Sequence, residues 1–392
     1  ALPISPIPNP HKIFILKLFI FSLFKFIIYI LRYFLRTELG LLKFQNKLKN
    51  EDYLNKYYRL NKIYKNDKVL KPFLKEISII SHDYTNELKL NNNKIHIISN
   101  TNDKYIYSTI VSINSILRNS NNNKTTIVYH ILCPEDIRRR NINKLKSFLF
   151  VYPTNLEMIF YNMGNLFNRF KNNRFSQVAF YRLLSPIFIP VERVIYLDSD
   201  VLAFEDLETM YHLNFNNNYI LGFLDPLSYG VDYLGLKSEK YVNSGVLLIN
   251  LDLIRKDKKY YEILFMLNNY KKFENNDQTI INYIFYPNIG ILPSKYGIFN
   301  FNNIFDIKYI YLKSIRQNLN LTEIIEAFNH PALMHFIFCN PKVWFSNSLF
   351  IKKCTRIGTL GKASCIKYHY IWIENAKNTS FFKEIAKYYK IK

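Results

Sequence analysis

The sequence predicts an α/β domain: a mostly parallel sheet covered by helices, over about residues 94–345. Three observations predict it. Short apolar runs bounded by polar turns recur at 94–99, 126–132, 156–160 and 194–197, as the buried strands of a parallel sheet require. Between them lie stretches with helical spacing, about 105–117, 135–148 and 177–184, so strand and helix alternate in β-α-β-α order. Hydrophobic residues make up 49% and aromatics 17% of 392 residues, which rules out a mainly disordered chain and suffices for one large domain with extensions.

Taken in order, the chain starts at Ala1, so its N-terminus reads as processed or truncated, and four prolines in residues 1–10 mark an irregular lead-in. Residues 13–35 are almost wholly apolar, interrupted by Lys17, Lys25 and Arg32, with Arg36 just after. On a helix these four cations fall within an arc of about 100°. Such a basic stripe fits a helix lying on an anionic membrane surface. A spanning helix is the rival, at about 2.5–3.5 kcal/mol for each mid-span lysine; a helix buried against the main domain is the third reading. Residues 37–93 are rich in Lys, Asn and Tyr and contain helical stretches, and Asn91-Asn-Asn93 reads as a boundary. This divides the chain into an extension at 1–93, the α/β domain at 94–345 and a basic, aromatic, helical extension at 346–392.

Within the domain, the strand Lys94–Ser99 leads to a polar turn at Asn100–Asp103 and a helix from Tyr105. Strands follow at Thr126–Leu132 and Leu156–Phe160, then at Val194–Leu197. Asp198-Ser199-Asp200 comes directly after that last strand. In extended geometry residues i and i+2 project to one side, so two carboxylates would meet at the carboxyl end of a strand, where open α/β sheets bind ligands. Two hard oxygens there suit a divalent cation, and a cation suits a diphosphate. Tyr219–Leu224 reads as a strand ending at Asp225. Tyr241-Val-Asn-Ser-Gly245 reads as a polar turn entering a strand, followed by one helix from Leu251 to about Tyr270. Asn276-Asp-Gln278 reads as a helix start, and Ala332–Phe336 as an apolar strand around His335.

Lys+Arg 53 against Asp+Glu 30 gives a net charge of +23. Phosphorylated substrates, anionic membranes and nucleic acid all suit such a balance, but no nucleic-acid-binding motif accompanies it, and a lysine- and asparagine-rich coding background accounts for part of it. Cys133, Cys339, Cys354 and Cys365 lack CxxC or Cys/His finger spacing. So few cysteines fit a reducing compartment, which suggests the cytoplasmic face of a membrane. No Gly-x-Gly-x-x-Gly or Walker pattern occurs, which favours a metal as the partner of any phosphate. On the residues alone, plainer readings stay open: His335 as a core histidine, Asn243-Ser-Gly as a turn, Asp277 as a helix cap, Tyr105 as a core aromatic, and Arg182 as a partner of Glu192.

The ordered set Tyr181-Arg-Leu, Tyr196-Leu-Asp-Ser-Asp-Val-Leu, Asn243-Ser-Gly-Val-Leu-Leu-Ile-Asn, Asn276-Asp-Gln, then His335 with Lys342 and Trp344, resembles glycosyltransferase family 8. The resemblance implies a GT-A fold and a retaining enzyme that uses a UDP-sugar, UDP-glucose or UDP-galactose, with manganese or alternatively magnesium. It implies Asp198, Asp200 and His335 as metal ligands and Lys342 on the diphosphate. It further implies Tyr105 against uracil with Asn102 and Asp103 beside it, and Arg182, Asn243, Asp277 and Gln278 along the donor sugar. Asp225 would face donor or acceptor. Among catalytic candidates, Asp277 or Asp225 would be the nucleophile of a double displacement; Gln278 suits a front-face route instead. The acceptor would be lipopolysaccharide or another membrane glycolipid. The chain departs from the family pattern at Phe338, where a glycine is usual, in the position of Lys342 one place late, at Val343 for a proline, and at Asn102 for an aspartate. The rival functions are a metal-dependent nucleotidyl- or phosphotransferase and a non-catalytic glycan-binding relative.

Overall fold

The computed structural model describes residues 76–84, 93–120, 125–151, 156–165, 167, 177–225, 236, 238–268, 276–299, 320–337, 342–344 and 359–391. The segment read as a membrane helix at 13–36, and Phe338, lie outside the described residues.

The expected alternation is present. Strands β1 (Ser78–Tyr84), β2 (Lys94–Asn100), β3 (Thr126–Cys133), β4 (Leu156–Asn162), β5 (Arg193–Leu197), β7 (Ile220–Leu224), β8 (Val242–Asn250) and β9 (Ile289–Ile291) form one sheet in the order β1-β4-β3-β2-β5-β8-β7-β9. The four strands β4, β3, β2 and β5 run parallel. β8 enters antiparallel between β5 and β7, and β9 is parallel to β7. A second, three-stranded sheet joins β10 (Ile298–Phe299), β11 (Leu333–His335) and β6 (Val201–Ala203).

Both faces of the large sheet are covered, and the two-residue side-chain period of its strands shows which residues serve which face. Ile95 and Ile97 of β2 join the core under the helix Ile106–Asn119, whereas Ile98 joins the one under the helices Tyr260–Asn268 and Asn276–Phe285. The helices Thr359–Lys377 and Phe382–Tyr389 add Tyr368, Trp372, Ile385 and Tyr389 to the first core. Trp344 lies 5.6 Å from the Trp372 ring and 5.9 Å from Tyr389, and His369 Nδ1 meets the Val343 carbonyl, so the C-terminal helices fix the backbone next to Lys342. Among the described residues no helix is long and apolar enough to cross a membrane.

The structure departs from the sequence expectations in six places. The single helix expected at 135–148 is two, Arg139–Lys146 and Phe148–Val151. β1 is a strand within residues 37–93, for which only helical stretches were expected; it pairs antiparallel with β4. Gln177–Leu184 is a 3-10 helix. The expected single helix from Leu251 is two, Leu251–Lys256 and Tyr260–Asn268, with Lys258 between them at φ 55°. Asn243-Ser-Gly245 lies inside β8, opposite an irregularity at Gly222/Phe223, and is not a turn before it. Asp198-Ser199-Asp200 is a turn between β5 and β6, closed by Val201 N–H donating to the Asp198 carbonyl at 3.1 Å, and is not extended.

Candidate active site

The turn changes how the two aspartates meet their partners. Asp198 N–H donates to the Gly245 carbonyl at 2.8 Å, which ties the turn to β8. On the far side of the turn, β6 pairs with β11 so that His335 stands opposite Val201, and Phe336 N–H donates to the Asp200 carbonyl at 2.9 Å. The small sheet thus carries His335 across 135 residues of sequence to the acidic pair. His335 Nε2 lies 3.1 Å from Asp200 Oδ1 and 3.7 Å from Asp198 Oδ2. The three ligand atoms lie within 4.8 Å of one another. Two carboxylate oxygens and an imidazole nitrogen form a donor set that suits manganese.

Lys342 completes this side. Its ammonium donates to Asp200 Oδ2 at 2.5 Å and to the Phe336 carbonyl at 3.0 Å. Burial alone would push the Asp200 carboxyl up, but Lys342 and His335 outweigh it and hold it far below the usual carboxylate range. Lys342 responds in the same way: burial disfavours its charge, Asp200 favours it more, and its pKa is raised.

Behind the acidic turn lies Arg182, 5% exposed. Its guanidinium donates to Asp198 Oδ1 at 3.0 Å and to the carbonyls of Ala179 and Ser244. Nε also lies 3.3 Å from Asp277 Oδ2, and the plane stands 3.9 Å from the Tyr196 ring centre. Arg182 therefore serves Asp198 and Asp277, not Glu192. Burial drives the Asp277 carboxyl up and a guanidinium shared with Asp198 does not fully compensate, so its pKa sits at about 6.

A third group lies beside Asp277. Gln278 Oε1 accepts from Asn243 Nδ2 and from Ser244 N–H, both at 3.1 Å, while its Nε2 donates to Asp225 Oδ2 at 2.8 Å. Asn243 Oδ1 accepts from Gly245 N–H at 2.9 Å. Asp225, directly after β7, Asn243 on β8 and Gln278 on the helix Asn276–Phe285 are all buried, held in one hydrogen-bonded row. The turn after β2 has a different organisation. Asn102 Oδ1 accepts from the N–H groups of Lys104 and Tyr105, which sets up the helix start at Ile106. The Asp103 carboxylate is engaged by Arg138 at 2.8 Å and by Asn141 at 2.6 Å. Tyr105 is half-buried beside the first core.

One residue of this site, Tyr196, carries no role in the sequence reading. Tyr196 donates its hydroxyl to Asp198 Oδ1 at 2.6 Å; a phenol in an otherwise aliphatic strand was the available signal. With Arg182 on the same oxygen, it leaves Oδ2 facing His335. If Asp198 holds a metal ion, Tyr196→Phe, which keeps the ring, is expected to weaken manganese binding about 10–100-fold, as loss of an outer partner of a metal ligand does, with little change in melting temperature. Titration of manganese by calorimetry checks this, and unchanged affinity would remove Tyr196 from the site. Gly245 is the tightest point of the site. A Cβ built there would lie 2.1 Å from His335 Cε1 and 2.7 Å from Asp198 Oδ2. In the sequence this glycine reads as one that permits close backbone approach or an unusual dihedral; the structure shows the approach and that its partners are His335 and Asp198.

Fold and site together define the class: an α/β transferase-type domain with an acidic pair, a histidine and two cations gathered at the carboxyl end of its parallel strands. The chain belongs to glycosyl transferase family 8, whose family model matches residues 96–348. A lipopolysaccharide 1,2-glucosyltransferase of Escherichia coli is 28% identical over 210 residues, 50% of this chain and 60% of that protein. General stress protein A of Bacillus subtilis is 22% identical over 65% of this chain and 88% of its own. Among solved structures, the bifunctional glycosyltransferase WbbM superposes with a TM-score of 0.58 at 20% identity, covering 76% of this chain and 52% of that one. The galactosyltransferase LgtC, solved with donor and acceptor sugar analogues, gives 0.51 at 20% identity, with 73% and 96% covered. These neighbours show the GT-A fold.

Proposed function

We propose that this protein transfers glucose or galactose from a UDP-sugar to a hydroxyl of a glycan, with retention of configuration. The observation that carries the reading is the meeting of Asp198, Asp200 and His335 within 4.8 Å, beside Lys342. These three side chains would hold manganese, or magnesium, and the ion would supply charge neutralisation for a diphosphate leaving group. Lys342 would add a second cation to the same diphosphate. The E. coli relative is named for lipopolysaccharide glucosylation, which supports a lipopolysaccharide or other membrane glycolipid as acceptor. In this reading residues 1–93 hold the protein to the cytoplasmic face of an anionic membrane, 94–345 carry the chemistry, and 346–392 extend it.

The buried row at Asp225, Asn243 and Gln278 would orient the donor sugar, with Asn102, Asp103 and Tyr105 forming the nucleotide turn. Neither candidate nucleophile is poised for attack: Asp277 faces Arg182 and Asp225 accepts from Gln278. This favours the front-face route. The bond from the anomeric carbon to the UDP oxygen breaks, the acceptor oxygen bonds on the same face, and its proton goes to the departing phosphate oxygen. UDP release from a panel of UDP-sugars, with and without manganese, tests the proposal. Turnover is expected for one hexose donor, lost on chelation, and lowered about 100-fold or more in Asp200→Asn, the scale on which removing one electrostatic stabiliser acts. Undiminished turnover in Asp200→Asn would overturn the metal assignment.

A further inference from the structure

A cleft of about 190 Å³ lies away from the acidic turn, between the last turns of the helices Ile106–Asn119 and Thr359–Lys377. It is lined by Ser115, Arg118, Asn119, Phe204, Asn375 and Asn378. β6 separates it from the site: Asp200 precedes that strand and Phe204 follows it, four residues or about 13 Å at strand rise.

The lining has a particular chemistry. Among the described residues it contains no carboxylate. The exposed Arg118 makes no hydrogen bond or ion pair with the described residues. Asn119 spends its Nδ2 on the carbonyls of Ser115, at 2.8 Å, and Ala203, at 3.0 Å. Asn375 directs its Nδ2 to the Ile371 carbonyl at 2.9 Å. Both amides are therefore fixed in orientation, and each offers its Oδ1 as an acceptor. Arg118 supplies up to five donors, and the exposed Asn378 supplies both donor and acceptor. Phe204 contributes one half-buried ring.

An anion does not suit this set. The Nδ2 groups of Asn119 and Asn375 are already committed to backbone carbonyls and have little left to donate to an anion. The cleft also adjoins the carbonyl end of the helix Ile106–Asn119, which disfavours negative charge. A purely apolar ligand would leave the polar groups unpaired. A neutral pyranose suits it: vicinal hydroxyls both donate and accept, and the C–H face can lie on an aromatic ring. A space needing on the order of 15 Å³ per water can release several waters to one sugar ring. We propose that this cleft is a second carbohydrate site, which takes a neutral hexopyranose unit of a glycan chain at a distance from the donor site. The inference rests on the cleft alone and not on the assignment of the metal or donor.

The full chain titrated with methyl α-D-glucopyranoside and methyl β-D-galactopyranoside, followed by saturation-transfer NMR, tests it. The wild type is expected to bind at least one hexoside in the millimolar range. Arg118→Ala and Asn375→Leu are each expected to weaken that binding at least five-fold while UDP binding stays unchanged; Asp200→Asn should keep the hexoside signal. Absence of hexoside binding to the wild type at 100-fold excess, equal binding in both cleft variants, or loss of the signal in Asp200→Asn would each overturn the proposal. So would Arg118-dependent binding of inorganic phosphate in place of the hexosides. Loss of donor turnover with hexoside binding intact would instead count against the proposed function and leave the cleft standing.

Discussion

Replacing Arg182 by methionine is expected to lower stability by about 3–5 kcal/mol at neutral pH and to abolish donor turnover. The figure is that for breaking a buried ion pair from one side. Arg182 is 5% exposed and is the cation shared by Asp198 and Asp277. Methionine fills much of the volume but leaves two carboxylates facing one another and the carbonyls of Ala179 and Ser244 without their donor. The pH dependence follows from Asp277, whose carboxyl is raised from 3.8 to about 6. A carboxyl raised in the folded state favours the fold fully below its unfolded value, near 4, and that contribution is lost as pH rises through about 6. Without Arg182 the attraction that lowers this value is gone, so it moves higher still. The deficit of the variant relative to the wild type is therefore expected to be smaller at pH 4.5, where the stranded carbonyls still cost stability, and to grow towards pH 7.5. Thermal melts at the two pH values measure it. The double variant Arg182→Met/Asp277→Asn, which removes one of the stranded charges, should recover at least half of the loss at pH 7.5. A deficit independent of pH, with no recovery in the double variant, would show that Arg182 acts by packing and not by charge.

This pairing shows where the sequence was readable and where it was not. The parallel half of the sheet was legible because its strands are continuous apolar runs bounded by turns, as at Lys94–Asn100 and Thr126–Cys133. β1 was not: Ser78-Ile-Ile-Ser-His-Asp-Tyr84 mixes polar residues with Ile79 at 61% exposure, the pattern of a partly solvated edge. The strands β6 and β10 are two or three residues long, too short for any periodicity; β11 was legible as an apolar strand around His335, but not its pairing with β6, which brings His335 to Asp200. Residue types at the site could be read from the ordered motifs, but their contacts could not. The two aspartates meet the histidine through a turn and not through strand geometry. Asn243 reaches Gln278 from within a strand. The C-terminal segment read as basic, aromatic and helical, and helices are present at Thr359–Lys377 and Phe382–Tyr389. Their packing was not legible, because the partners of Trp372 and Tyr389 lie at Trp344 and on the helix Ile106–Asn119, far away in sequence.

Gly245 lies where this hidden geometry is tightest, and Gly245→Ala is expected to act on metal, turnover and stability together. The added Cβ would fall 2.1 Å from His335 Cε1 and 2.8 Å from its Nδ1, with Asp198 Oδ2 at 2.7 Å. None of these neighbours is a loose chain end. His335 is 2% exposed on β11, whose backbone is held by β6 and β10, and Asp198 Oδ1 is fixed by Tyr196 and Arg182. Overpacking of this kind costs about 1–3 kcal/mol. The imidazole must swing away from Asp200, and a displacement of about 1 Å at a reacting centre lowers rates about 100-fold. Manganese affinity and donor turnover should therefore fall at least 100-fold in Gly245→Ala. The double variant Gly245→Ala/His335→Ala separates the two causes. Removing the imidazole makes room for the methyl group, so melting temperature should return towards that of His335→Ala alone, while manganese binding stays lost. If Gly245→Ala alone binds manganese as the wild type does, His335 is not a ligand and the metal rests on the two aspartates. If the double variant is no more stable than Gly245→Ala, the clash is with the backbone of the acidic turn, and the contact of Gly245 with Asp198 becomes the one that shapes the site.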